Sequence, residues 1–147
     1  MTTANLPHID ARNAGDAREW AVCSIMGAPR TKHDSKAYDK DSDVVVGAIR
    51  ASVKSSAFTL MSGNLCEGLT EFTAIWNLYE RKTHSNTFVY VTENFTAYIM
   101  NITEFKEFVF TFCRTERESE KNGGAMKIRC RKESAKMIRW LADKAAA

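Results

Sequence analysis

A short run of strand-forming residues after Asp43 strongly favours a β-hairpin in this part of the chain. The valines at 44–46 favour an extended strand, and Gly47 with the residue after it permits a tight reversal. Residues 49–54 then return as a second strand with Lys54 at its far end. In an antiparallel hairpin the beginning of one strand lies beside the end of the next. We therefore expect Asp43 and Lys54 to face each other across a narrow gap.

Helical and strand patterns alternate along the rest of the chain, and they indicate the α/β class. The predicted helices are 16–26, 70–82, a helix capped by Asn101, a charged helical extension over 114–121, and 132–144. The further predicted strands are 87–92, 96–101 and 126–131. We expect a single domain over 13–147 with a mixed central sheet flanked by helices. Residues 1–12 contain Pro7 and no periodicity, and are predicted to be a flexible arm.

Length and composition limit the class of protein. A chain of 147 residues with 44% hydrophobic residues is the usual size for one domain with its own core. No apolar run is long enough to span a bilayer, and the first residues lack the basic start and apolar stretch of a signal peptide. The four cysteines are far apart and lack the spacing of a zinc site. A cytoplasmic protein with free thiols and no membrane partner is expected.

Basic residues are concentrated near the C-terminus. Residues 121–139 contain seven basic side chains and one acidic side chain, although the net charge of the whole chain is only +3. Alternation along 126–131 places Lys127, Arg129 and Arg131 on one face of the predicted strand. With Lys132 and Lys136 they are predicted to bind the nucleic-acid backbone, whereas a solvated basic face is the simpler alternative.

Glu19 shares the apolar stripe of the first predicted helix. A glutamate at this position either turns its carboxylate into water near the positive end of the helix, or serves a site. The sequence does not decide between the two. Other carboxylates near the hairpin are Asp41, Glu67 and Glu71, and any of them is a candidate to complete a metal site.

The pairing of Asp43 with Lys54, together with the glycine-x-x-x-glutamate of Gly15 to Glu19, resembles the PD-(D/E)XK phosphodiesterase superfamily. The resemblance implies a restriction-endonuclease-like core and a nuclease that uses Mg²⁺ or Mn²⁺. It also implies that Asp43 and Glu19 bind the metal and that Lys54 holds the attacking water. The chain departs from the family at Ser52, where an acidic residue or its amide is usual. A hydroxyl is a poor ligand for a hard cation.

Three functions follow from these observations. The first is a metal-dependent endonuclease, with DNA as the expected substrate. The second is a nucleic-acid-binding or accessory protein of the same fold without catalysis, which Ser52 favours. The third is a protein-interaction factor whose basic strand is only a solvated face. A nuclease this small needs a second copy to cut both strands symmetrically, so a homodimer is expected.

Overall fold

The computed structural model describes residues 1–11, 13–28, 42–60, 68–118 and 126–147. In chain order the elements are β1 (Thr2–Asn5), α1 (Ala14–Met26), β2 (Val44–Val46), β3 (Ile49–Ser55), β4 (Thr59–Leu60), α2 (Phe72–Lys82), β5 (Thr87–Val91), β6 (Thr96–Met100), α3 (Ile102–Phe112), β7 (Cys113–Arg117), β8 (Met126–Cys130) and α4 (Ala135–Ala146). The molecule is a small mixed α/β domain.

The strands form two sheets. The larger sheet has the order β1-β6-β5-β3-β2, in which β3 and β5 run parallel and the other neighbours run antiparallel. The smaller sheet is antiparallel, with the order β4-β8-β7. Because β3 and β5 are parallel, the chain crosses between them through β4 and α2.

The two faces of the larger sheet cover two different cores. On one face α1 packs through Val22 and Cys23 against the small apolar side chains of β2, β3 and β5. On the other face Phe88 and Tyr90 pack against α2, α3, α4 and the smaller sheet. This second core is aromatic, and Phe105 stacks on Phe88 with 4.4 Å between ring centroids.

Most predicted elements are confirmed. The hairpin of β2 and β3 reverses at Gly47, whose φ of 56° is a conformation that glycine adopts without strain. The helix predicted to follow Asn101 has a full capping box, because Asn101 accepts from the backbone of Glu104 and Glu104 accepts from the backbone of Asn101. The strands over 87–91 and 96–100 pair as expected.

Two expectations for local structure are wrong, and one strand was missed. Residues 2–5 are an edge strand paired with β6, so the flexible arm predicted for 1–12 is ordered at its start. The helical extension predicted over 114–121 begins instead with β7, since pairing with β8 outweighs the helical spacing of its charges. The short strand β4 was not predicted, because two residues carry too little pattern.

Some expectations fall outside the described residues. The candidate carboxylates Asp41 and Glu67 are among them. Within the described ranges no helix is both long and apolar enough to cross a bilayer.

Candidate functional site

A β-bulge opens the hairpin at Asp43. The backbone N–H of Asp43 donates to the carbonyl of Ala51 at 2.8 Å, although Val44 is already the register partner of Ala51. Asp43 and Val44 thus both oppose Ala51, and this bulge changes the direction of the Asp43 side chain. The carboxylate Oδ2 of Asp43 accepts from the backbone N–H of Val53 at 2.7 Å, so the side chain is held against the end of the ladder.

The structure brings Asp43 together with Glu19 of α1. Their carboxyl groups share a hydrogen bond, and both side chains are half-buried. Glu19 lies one helical turn before Val22 and Cys23, which pack against Val44, so the helix faces the bulge. The structure thus brings together the two acids that the resemblance implied as metal ligands.

Burial raises the pKa of Glu19 to about 7, and the neighbouring carboxylate of Asp43 adds to the rise through its charge and its hydrogen bond. The charge of Asp16, one turn earlier on α1, acts in the same direction. Two carboxyl groups in contact cannot both ionise without repulsion, so near neutral pH the pair holds one proton.

Lys54 does not join this pair, and the predicted contact between Asp43 and Lys54 is wrong. Lys54 is the register partner of Tyr90, and register partners share a face of the sheet. Tyr90 belongs to the aromatic core, whereas α1 and Glu19 lie on the opposite face. Regular alternation would have placed Asp43 on the face of Lys54, but the bulge turns it towards α1.

The other candidates for a metal site do not gather around the pair either. Ser52 is buried on the same strand face as Lys54, and Glu71 precedes α2 as its N-terminal cap. Within the part of the chain that the structure describes, no three His, Cys, Asp or Glu side chains are arranged to hold a metal ion.

The five cations predicted to bind nucleic acid divide into two groups. Lys127 forms an ion pair with Glu118 at 3.4 Å, and both side chains are largely buried. The guanidinium of Arg129 donates to the hydroxyl of Thr59 at 2.8 Å across the smaller sheet. Both cations therefore have partners within the protein.

The other three predicted cations meet around one cleft. Arg131, Lys132 and Lys136 are exposed and line a space of about 230 Å³. The remaining lining residues supply hydroxyl groups and an apolar floor: Thr111, Phe112, Ser134 and Met137. No ion pair involves any of the three cations within the described residues. We call this space the basic cleft.

The basic cleft lies where the end of β8 meets the end of α3. The backbone N–H of Arg131 donates to the carbonyl of Phe112, which joins the end of β8 to the end of α3. Ser134 then caps α4 by accepting from the backbone N–H of Met137, so the helix starts at the cleft. The acidic neighbour Glu133 turns away, because its carboxylate accepts from the hydroxyl of Tyr90.

Sequence reasoning missed the residues of the cleft that come from α3. Thr111 and Phe112 lie far from Arg131 along the chain, and no local pattern links them. Ser134 was visible as a serine three residues before the first buried apolar residue of α4, which is a typical N-terminal signal.

The fold and these two groups of side chains define a mixed α/β domain. A half-buried carboxyl pair lies on one face of its larger sheet, and the basic cleft lies on the side of the opposite face. Comparison with known proteins adds no family, since no protein-family model, curated protein or solved structure matches the chain.

Proposed function

We propose that this protein binds the phosphate backbone of nucleic acid, with DNA as the expected partner, through the basic cleft. The observation that carries the proposal is the convergence of three cations, Arg131, Lys132 and Lys136, on one cleft at the start of α4, where none of them forms an ion pair with another described residue. Guanidinium and ammonium groups beside hydroxyl donors are the groups that contact phosphate oxygens.

The position of the cations supports this function over a merely solvated surface. The N-terminal end of a helix carries a partial positive charge, so cations there lower the stability of the helix. The first turn of α4 has no acidic residue and contains Lys136, whereas α1 and α3 have Asp16 and Glu104 in their first turns. A bound phosphate would relieve this repulsion. Residues that oppose local stability are expected at binding sites.

A salt titration of DNA binding tests the proposal. The triple variant Arg131→Gln, Lys132→Gln, Lys136→Gln removes three charges that form no ion pair among the described residues. Each lost phosphate contact should flatten the plot of log binding constant against log salt by about 0.9 on duplex DNA. We expect a slope smaller by roughly two to three and weaker binding for all sequences alike.

The matched control removes three other exposed charges, in Arg81→Gln, Lys82→Gln and Lys106→Gln. These positions lie on α2 and α3, outside the basic cleft. Equal losses in the two triple variants would show that only net charge matters and would remove the cleft from the binding site. Unchanged retention in both would favour the protein-interaction function.

A second function, metal-assisted hydrolysis of a phosphodiester bond, is favoured by the carboxyl pair. Glu19 and Asp43 would hold Mg²⁺ or Mn²⁺, since one or two carboxylates with waters make a typical site for such ions. When bound, the ion would stabilise the negative charge that develops on the phosphate. The chain's own part is to present two anionic oxygens after the shared proton leaves.

The order of elements also supports this second function. Along the chain α1, β2, β3, β4, α2 and β5 follow the helix-strand-strand-strand-helix-strand order of a restriction-endonuclease-like core. Two features oppose it. β4 belongs to the smaller sheet, and Lys54 lies on the face opposite the carboxyl pair, where it has no access to a water beside Asp43.

Metal binding and cleavage separate the two functions. Addition of Mg²⁺ near pH 6 should release a proton from the carboxyl pair, and the release should disappear in Asp43→Asn. Cleavage of DNA that needs Mg²⁺ and is lost in Glu19→Gln would establish the nuclease. If the basic cleft binds DNA but neither cleavage nor proton release is observed, only the non-catalytic function remains supported. Glu80→Gln, an exposed acid on α2, is the control.

A further inference from the structure

Two cysteines that are distant in sequence stand directly opposite each other in the smaller sheet. Cys113 opens β7 and Cys130 closes β8, and the two are register partners in the antiparallel pair. They lie side by side although sixteen residues separate them in the chain. Both thiols are free.

Backbone hydrogen bonds identify the kind of pair they form. The N–H of Cys113 donates to Val109 in the last turn of α3, and the N–H of Cys130 donates to Phe58. Neither N–H is therefore exchanged within the pair, which makes it a non-hydrogen-bonded pair. In such pairs the Cα atoms are about 4.5 Å apart and the side chains approach most closely. This separation is inside the range of disulfides, which begins at about 4.4 Å.

The side chains are in contact, and the two thiols share a hydrogen bond. Cys130 is buried, with 1% of its surface exposed, while Cys113 is partly exposed. Cys113 is thus the more exposed of the two cysteines and the one that a reagent in solution meets first.

We propose that Cys113 and Cys130 form a site of reversible oxidation that closes to an intramolecular disulfide. The oxidant is a small disulfide such as oxidised glutathione. The Cys113 thiolate attacks one sulfur of the oxidant, a mixed disulfide forms, and one glutathione thiol leaves with the proton that Cys113 gave up. The Cys130 thiolate then attacks the Cys113 sulfur, releases the second glutathione thiol and completes the bond. Two protein thiols are oxidised and one small disulfide is reduced to two thiols.

The rate of this exchange is expected to depend strongly on pH. The hydrogen bond with Cys130 and burial raise the pKa of the Cys113 thiol, so little thiolate is present at neutral pH. Oxidation should be slow near pH 7 and much faster near pH 9. The inference does not depend on the proposed function.

Oxidised glutathione and peptide mapping test the inference in a Cys66→Ser background. At pH 9 we expect the folded protein to lose the mass of two hydrogens and to yield a peptide that links Cys113 to Cys130. The closed loop should raise the midpoint of thermal unfolding by about 5 °C over the reduced form. Excess dithiothreitol should restore both values.

The variant Cys113→Ser keeps Cys130 buried and should gain no disulfide and no rise in midpoint. Cys23→Ser removes the buried cysteine of α1 and should leave the linked peptide unchanged. A mixed disulfide that stays on Cys113 without closing, or a folded protein that remains reduced at pH 9 while the unfolded chain reacts, would overturn the proposal.

Discussion

At the scale of single residues, the bulge at Asp43 decides which side chains meet. Regular pairing would leave Asp43 on the sheet face of Ser52 and Lys54, as the strand pattern predicted. The extra residue opposite Ala51 turns the carboxylate to Glu19 and lets it accept from the backbone of Val53. A register change of one residue moves a side chain across the sheet. One bulge thus separates the acid from the lysine.

The raised pKa of Glu19 predicts how stability changes with pH. Folding shifts this pKa from 4.5 to about 7, so between these values the folded protein keeps a proton that the unfolded chain releases. The free energy of unfolding therefore falls as pH rises through this window and stops falling above about pH 7. Glu19→Gln removes this loss. From pH 5 to pH 8 the midpoint of the parent should fall relative to the variant by about 3–5 °C.

Thermal unfolding at several pH values measures this difference. Asp43→Asn should reduce this difference without abolishing it, since the variant removes the charge of Asp43 while burial, the largest cause of the raised pKa of Glu19, remains. Glu80→Gln is the control and should follow the parent. Parallel curves for the parent and Glu19→Gln would show that folding does not raise the pKa of Glu19.

At the scale of elements, α4 combines a good cap with an unfavourable charge. Ser134 accepts from the backbone of Met137, and Met137 and Leu141 anchor the helix in the aromatic core. Lys136 stands in the first turn, where the helix dipole disfavours a cation. At its N-terminal end, α4 therefore combines a stabilising cap with a destabilising charge beside the basic cleft.

Lys136→Glu is expected to change stability and binding in opposite directions. An acid in the first turn should raise the free energy of unfolding by about 0.5 kcal/mol. The same charge should weaken DNA retention at least tenfold, because it replaces a phosphate contact by repulsion. Urea unfolding and retention at fixed salt measure the two effects.

Arg139→Glu makes the same charge change later on α4, at an exposed residue outside the basic cleft. It should give no gain in stability and a smaller loss of DNA binding. If the two variants behave alike, neither the helix end nor the cleft accounts for the role of Lys136.

At the scale of the whole molecule, the N-terminal residues complete the larger sheet. β1 pairs along its length with β6, from Thr2 opposite Ile99 to Asn5 opposite Thr96. Without β1 the backbone of β6 would be an exposed edge. Deletion of residues 2–5 should lower the free energy of unfolding by on the order of 2 kcal/mol through lost backbone pairing. It should also increase association at high concentration.

Urea unfolding and light scattering of the shortened chain test this prediction. The variant Thr2→Ala, Thr3→Ala keeps the backbone of β1 and should lose much less stability, since the side chains of this edge strand are exposed. If the shortened chain keeps the free energy of unfolding of the parent, residues 2–5 do not stabilise the sheet and behave as the flexible arm that the sequence predicted.

The sequence alone determined the local elements whose signals lie within a few residues. The glycine turn between β2 and β3, the capping box at Asn101 and the apolar stripe of α2 each follow from short-range pattern and are confirmed. The contact of Glu19 with Asp43 does not belong to this group, because it depends on the bulge that turns Asp43 towards α1.

Only the tertiary structure decided how distant segments pair. It placed Cys113 opposite Cys130, joined Phe112 to Arg131, and used Lys127 and Arg129 inside the smaller sheet. These choices depend on which strands are neighbours and in which register, and no short stretch of sequence encodes either. A strand shows which residues share a face, but its partner strand determines whether a charge on that face meets an acid, a hydroxyl or solvent.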